Sequence, residues 1–510
     1  MSSAQSSTSR RGKKPHASRG EKHLKVLIVG AGIGGLSTAI ALARHGVKST
    51  VLEKLPQLSP ASSPSGVGAG IQLPPNGARV LRQLGVLDAL LENGGQALEF
   101  MDHMSWADGT VIRRRDLTKC EELYGAPWIN VHREDYLRVL YNEAQRSGVS
   151  VMFNCDIAKV EPETPSVTLN TGMIIKGDVI IGADGIWSNM RNKIFPDPPR
   201  PVETGYMAYR ITLTTEELLS LKDFRINEMV RDPQIGQRIW LGPDSHLVLY
   251  PVKEGKKFNI VAICPDDIPS SEYRDGCFSP VQANPSDIRR TFADWDPVIT
   301  KMLSRVTKAL KWKLCTITEP PTWVKGRVCL LGDAAHPMVP FLAQGSVAAS
   351  EDAITLGTLL GLTSKHLLPL QPSMPDLSHV LKKYEQLRRT HARFIQTQSL
   401  RQGYFNRLSD SREQVLRDEI MGSMEFNMLK PDGSLRDVGP EEKGGPPLTD
   451  GKWCWIVFRH DFEQQARIMF SNAYGKFIQA FGVGTPTSEK GRVVEDVHAH
   501  GQQEMVRSHL

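Results

Sequence analysis

The sequence predicts an α/β (α+β) fold: a parallel sheet built on a βαβ unit, a separate β-sheet domain inserted into it, and a helical C-terminal region. Three observations carry that prediction. LKVLIVG (24–30) is a short apolar run followed by a glycine-rich turn and a helical pattern, as a strand buried on both faces requires. The buried-strand pattern returns at DVIIGADG (178–185) and again at RVCLLGDAAH (327–336). Between them, from Pro199 to Trp312, the texture changes to β-like runs.

Taken in order, ordered structure is expected to begin near Leu24. The helix LSTAIALARHG ends at Gly46 and the strand KSTVLEK (48–54) closes the βαβ unit. A Ser/Pro loop (58–66) leads to VGAGIQLPPNGARVLRQLGV, read as a glycine turn, an extended piece and a helix. HREDYLRVLYNEAQRSG (132–148) is an amphipathic helix with Asp135 at a cap position. A strand (150–154) and a hairpin (160–175) follow, then GYMAYRITL, QRIWLG, HLVLYPV and FNIVAIC as strands of the insert. A helix opens after Gly345, a longer one spans about 378–407, and 429–452 is a linker by composition. The expected domains are a basic tail (1–23), a first domain in two pieces (24–198 and 316–410), a β domain (199–315), and an extension (411–510) of unassigned role.

Composition removes several functions. The 510 residues are 40% apolar and 23% charged, which suits two or three globular domains and excludes a largely disordered chain. The net charge of +6 belongs to the tail: residues 1–25 hold seven basic side chains against one acid, and the other 485 balance at 55 of each sign. The folded body therefore gives no electrostatic case for nucleic acid. No run approaches the roughly 20 apolar residues of a membrane span, and the N-terminus has no apolar core of a secretory signal. Seven cysteines without a C-x-x-C indicate neither a disulfide framework nor a metal site, as in a reducing cytoplasmic compartment.

The chemistry lies in three glycine-containing turns. Gly30, Gly32 and Gly35 form G-x-G-x-x-G between strand and helix: a tight turn, a close approach to a diphosphate, and close helix–strand packing. Glu53, at the end of the next strand, is placed for ribose hydroxyls and disfavours a 2′-phosphate, leaving FAD or NAD. GADG (182–185) and GDAAHPMVPFLAQG (332–345) each follow a buried strand. Asp333 beside its glycine suits a sugar-like hydroxyl, and backbone N–H groups at Gly345 and Ser346 start a helix whose positive end suits an anionic ring edge.

Together the three segments, in this order and spacing over about residues 24–410, resemble the group A FAD-dependent aromatic hydroxylases. This is the family of p-hydroxybenzoate and salicylate hydroxylases. VGAGIQLPPNGARVLRQLGV is similar to the salicylate hydroxylase-like branch, which includes fungal enzymes that tailor small aromatic polyketides. The resemblance implies a glutathione reductase-type Rossmann FAD domain, with NADPH or NADH as transient reductant and O2 and a phenolic or salicylate-like aromatic as substrates. Hydroxylation would proceed through an oxygen adduct at flavin C4a. It implies that Arg133 contacts the flavin, that Gly68 and Gly70 lie along its ring, that Asp184 serves FAD and NAD(P)H binding, and that Asp333 holds the ribityl chain. Pro337 would face the flavin, and Arg210 and Tyr250 would face the bound phenol as the catalytic pair. His336 is expected to be structural, and Met101, Met104 and Trp106 core. The loop before VGAG carries an extra ASSPSG (61–66), and Val347 stands where relatives often have Asn. Two alternatives stay open, an FAD oxidase or reductase of the same fold and a catalytically quiet flavin-binding protein. Monomer and homodimer also stay open.

Overall fold

The computed structural model describes residues 24–58, 70–269, 271, 273–274, 277–278, 280–370, 376–423 and 451–480. The basic tail, the 61–66 insertion, Gly68 and residues 429–450 of the expected linker lie outside these; Gly451 and Lys452 instead begin a helix.

Lys25–Val29, apolar and buried after its first residue, lies inside a six-stranded sheet. The order is 324–325, 328–330, 179–182, 25–29, 48–52, 150–152, and every pairing is parallel except that of the two-residue edge strand. The helix Ile33–Arg44 crosses between the first two strands. Against it packs the helix Gly345–Leu362, whose residues from Val347 onwards are all buried. The two backbones touch at Gly357, where a Cβ would come 2.5 Å from the Cβ of Ala41.

A second sheet of eight strands runs in the order 281–283, 309–317, 201–214, 257–265, 245–252, 236–242, 100–105, 111–116. Residues 100–116, expected with the first domain, pair into this sheet instead, Phe100–Ser105 running parallel to Gly236–Leu241. Alternation along the strands gives the sheet two unlike faces. Tyr209, Ile211, Leu249, Ile260 and Ala262 point into a core closed by Ile288, Phe292 and Ile299. Arg210, Val248, Tyr250, Asn259 and Val261 share the opposite face, as their cross-strand pairing requires.

Helix Arg133–Arg146 takes His132 as its N-cap without a side-chain bond. Asp135 is therefore not the cap expected from sequence: it sits in the first turn and pairs with Arg138 and Lys253. The long helix spans Leu377–Asn406. The C-terminal extension forms helices Arg412–Ser423, Gly451–Arg459 and Phe462–Ala480, the last packed on Gly345–Leu362. Arg79 fastens the extension by donating to the carbonyls of Phe458 (2.7 Å) and His460. No helix among the described residues is long and apolar enough to cross a membrane.

Candidate active site

The glycine turn is forced by close packing. Gly30 has φ +106°, and a Cβ there would lie 2.5 Å from the carbonyl oxygen of Ala183, so the first motif rests on the second. A Cβ on Gly35 would collide with the carbonyl of Gly30. Gly32 meets nothing within 4 Å, so the start of helix Ile33–Arg44, with its unbonded first-turn N–H groups, opens on the cleft. Glu53 braces the turn from the neighbouring strand, accepting from the N–H of Ala31 (2.8 Å) and of Leu55 (3.0 Å).

Asp184 turns inward. Its carboxylate accepts from Ser188 Oγ (2.6 Å) and the N–H of Met190 (2.9 Å), and burial pushes its pKa up. Ser188 caps the short helix Asn189–Ile194. Buried Arg191 then donates to the carbonyls of Ile186 (2.7 Å) and Ala334 (2.9 Å), fixing the second motif to the third.

Beneath GDAAHP lies a sealed polar network. Asp352 accepts from Gly332 N–H (2.9 Å), His336 Nε2 (2.6 Å) and Arg388 Nε (2.7 Å). Desolvation alone would raise its carboxyl, but the His336 and Arg388 side chains hold it down at about 2. Arg388 also pairs with Glu351 (2.9 Å), which accepts from Asn76 (2.8 Å), and Asn76 bonds Gln344 in turn. His336, 2% exposed and packed on Trp323, is thus an orienting residue, as the sequence suggested. Phe462 of the C-terminal extension covers Arg388, its ring centroid 3.8 Å from the guanidinium carbon.

The cleft above holds a different set. Arg133 begins its helix immediately after the strand Ile129–His132; it makes no hydrogen bond among the described residues, and Asp333 is its nearest carboxylate influence. Asp333 opens on the cleft but is ringed by protein, and desolvation raises its pKa while His336 and Arg133 oppose the rise. Arg210 stacks on Trp312 at 3.8 Å and has no acidic partner among the described residues. Burial, then Arg133, lowers its pKa to about 10. Tyr250 lies on the backbone of Gly70, where a Cβ would fall 2.5 Å from its hydroxyl oxygen; burial raises its phenol, so it remains a neutral donor. Gly70 N–H donates to Asn259 (3.2 Å).

Gly345 and Ser346 head the helix Gly345–Leu362, with Ala348 N–H bonding back to Gln344 at 2.7 Å and the three preceding N–H groups unbonded within the helix. The Asn-to-Val departure has a packing reason: Val347 fills the space over Gly77, where a Cβ would meet it at 2.6 Å. Two exposed helix starts, a cleft-facing carboxylate and an unpaired guanidinium fit an anionic dinucleotide with a flat, polar-edged ring. Met101 and Met104 are core, while Trp106 is half-buried against Trp295.

Sequence reading missed Asn76, Gln344, Glu351, Asp352 and Arg388. Asn76 and Glu351 carry the nearest signals, a polar residue in a helix's first turn and an acid inside an otherwise apolar helical run.

Residues 23–368 match the family described as FAD binding domain. The chain is 35% identical over 406 residues to the FAD-dependent monooxygenase OpS4 of Beauveria bassiana, covering 78% of this chain and 89% of that protein. It is 33% identical over 412 residues to 3-hydroxybenzoate 6-hydroxylase 1 of Aquipseudomonas alcaligenes, covering 79% and 94%. Among solved structures, a salicylate hydroxylase substrate complex has the same fold, with a TM-score of 0.66 at 23% identity over 88% of this chain and 98% of that one. On fold, motifs and these similarities, the chain belongs to the FAD-binding-domain family, among its FAD-dependent aromatic hydroxylases.

Proposed function

We propose that the protein hydroxylates a phenol carrying an anionic oxygen substituent, a carboxylate or an ionised hydroxyl, with NAD(P)H and O2. One observation carries this reading: Arg210 is a half-buried cation, stacked on Trp312, without an acidic partner among the described residues, on the sheet face that also bears Tyr250. A charge drawn part-way out of water without a counter-charge is costly, and an anionic ligand removes the cost.

In this reading the glycines at 30, 32 and 35 and Glu53 hold the diphosphate and ribose, and Asp333 holds the ribityl chain. Gly70 and Arg133 would hold the ring, and Gly345 and Ser346 would supply N–H groups to it. Asp184 serves by keeping its turn in shape. FAD, when bound and reduced by NAD(P)H, supplies the activation of O2. Arg210 fixes the substrate's anionic oxygen by charge-assisted hydrogen bonding. Tyr250, neutral because it is buried, donates to a ring oxygen; by stabilising that oxygen as the anion it keeps the ring electron-rich. The wall of the second sheet and the loop after Pro337 keep bulk water from the ring.

The test is oxidation of NADPH and NADH by the FAD-loaded protein with and without salicylates, orsellinate-like acids and acylated resorcinols, with products weighed by mass. One phenol should stimulate oxidation and gain one oxygen atom. Bound flavin without stimulation by any aromatic would overturn the proposal in favour of an oxidase.

A further inference from the structure

Asn259 stands on the strand between those of Tyr250 and Arg210. It pairs with Tyr250 on one side and with Thr212 on the other, and Arg210 lies two residues along from Thr212, so Asn259, Tyr250 and Arg210 share one sheet face. Tyr250 is then roughly 5 Å from Asn259 and Arg210 roughly 7 Å, Cβ to Cβ. The amide cannot turn over: its Oδ1 accepts from Gly70 N–H (3.2 Å), and a backbone N–H offers nothing to a nitrogen donor. Its Nδ2 is therefore left over. Asn259 is only 1% exposed, yet this nitrogen has no hydrogen-bond partner among the described residues. A buried donor left unpaired is costly and rare, so an acceptor belongs beside it. Its neighbours offer donors as well: the Tyr250 phenol, kept neutral by burial, and the Arg210 guanidinium, which has no acidic partner among the described residues. A ring hydroxyl here brings a further hydrogen, whereas an ionised ring oxygen accepts from both neutral donors at once.

We propose that Asn259 is a specificity-determining residue: its Nδ2 is the second donor to the ring oxygen that Tyr250 binds, so that the site selects the ionised form of a phenolic acid and disfavours an aromatic acid without that oxygen. The inference rests on the substrate reading above. Arg210 takes the acid's carboxylate, and the pair Tyr250 and Asn259 takes the neighbouring ring oxygen. The same amide holds Gly70 through its oxygen, so one side chain ties the strand 70–73 to the sheet and reads the substrate.

The experiment titrates FAD-loaded protein with salicylate and with benzoate, which lacks the ring oxygen, reading the change in flavin absorbance, with a thermal scan as a folding control. Asn259→Leu should lower the preference for salicylate over benzoate about tenfold, the loss expected of one hydrogen bond to a charged group. A second probe, 5-nitrosalicylate, changes colour when its ring hydroxyl ionises. Bound to the wild type it should ionise at lower pH than in free solution. Asn259→Asp keeps an oxygen for Gly70 and removes the donor, so there the shift should vanish or reverse. Three results would each overturn the second donor alone: a wild-type ligand that ionises as in free solution, an unchanged salicylate-to-benzoate ratio in Asn259→Leu, or equal loss of both ligands, the mark of a residue that only holds Gly70. A wild-type flavin spectrum indifferent to every aromatic would overturn the substrate reading and the donor with it.

Discussion

Two groups of charges lie on either side of the GDAAHP turn, and they are built on opposite principles. Below it, Asp352, His336, Arg388, Glu351 and Asn76 are buried, mutually bonded and roofed by Phe462. Above it, Arg133 and Arg210 face the cleft with no bonded carboxylate among the described residues, and Asp333 is raised by the enclosure it sits in. The lower group spends its charges on one another and fixes where the helix Gly345–Leu362 begins. The upper group leaves its charges for a ligand. Residues of identical type thus have opposite effects: fully buried, paired Arg388 holds the protein together, and half-buried, unpaired Arg210 strains it.

The largest effect should come from breaking the lower group. Arg388→Met leaves Asp352 and Glu351 buried without their cation and should cost about 3–5 kcal/mol of stability, with FAD lost as the fold loosens. A thermal midpoint within two degrees of wild type would show that the network is not what holds the turn. Arg210→Met should do the reverse. Hydroxylation of a phenolic acid should fall about a hundredfold, while FAD is retained and the thermal midpoint is equal or higher. A lower midpoint would place Arg210 with the structural charges.

How much of each group the sequence discloses follows from the range of the interactions. Gly30 and Gly35 answer to a positive φ or a backbone in contact and Gly32 to the open helix start, and a strand–turn–helix pattern reveals all three. The same holds for the alternation that separates Arg210 from Tyr209. The lower network has no such period: Asn76 meets Glu351 across 275 positions, and neither is unusual in its own helix. The pairing of 100–105 beside 236–242 is equally silent, because parallel neighbours need no shared turn. The extension forms helices within 451–480, but the surface it docks on is written in Arg79, Arg388 and His391, far upstream.

A smaller effect is expected at the rim that joins the two groups to the glycine turn. Glu53→Ala removes an acceptor from two backbone N–H groups and, on the proposed reading, from the ribose, and should weaken FAD binding about tenfold, one hydrogen bond to a charged group's worth. Equilibrium dialysis against FAD measures it. Unchanged retention would mean that Glu53 only braces Ala31 and Leu55.

The smallest effect is in the acid response, because Asp352 and Asp333 pull it in opposite directions. The Asp352 carboxyl is held at about 2 in the folded protein, below its ordinary value near 3.8. Its contribution is thus present above about pH 4 and is lost as the pH falls from there towards 2. Asp333 is raised in the folded state. Between its ordinary and its raised value, protonation favours folding, so acid at first relieves a cost there. The wild-type stability curve should therefore be shallow on entering the acid range and steepen below about pH 4. Asp333→Asn should remove the shallow part by stabilising the FAD-free protein near neutrality, and Asp352→Asn should flatten the steep part at the cost of stability above pH 4. Urea midpoints of the three proteins between pH 2.5 and 7 separate these outcomes. Parallel curves would mean that both carboxyls titrate alike, and the contrast between the sealed and the open side would not extend to their protons.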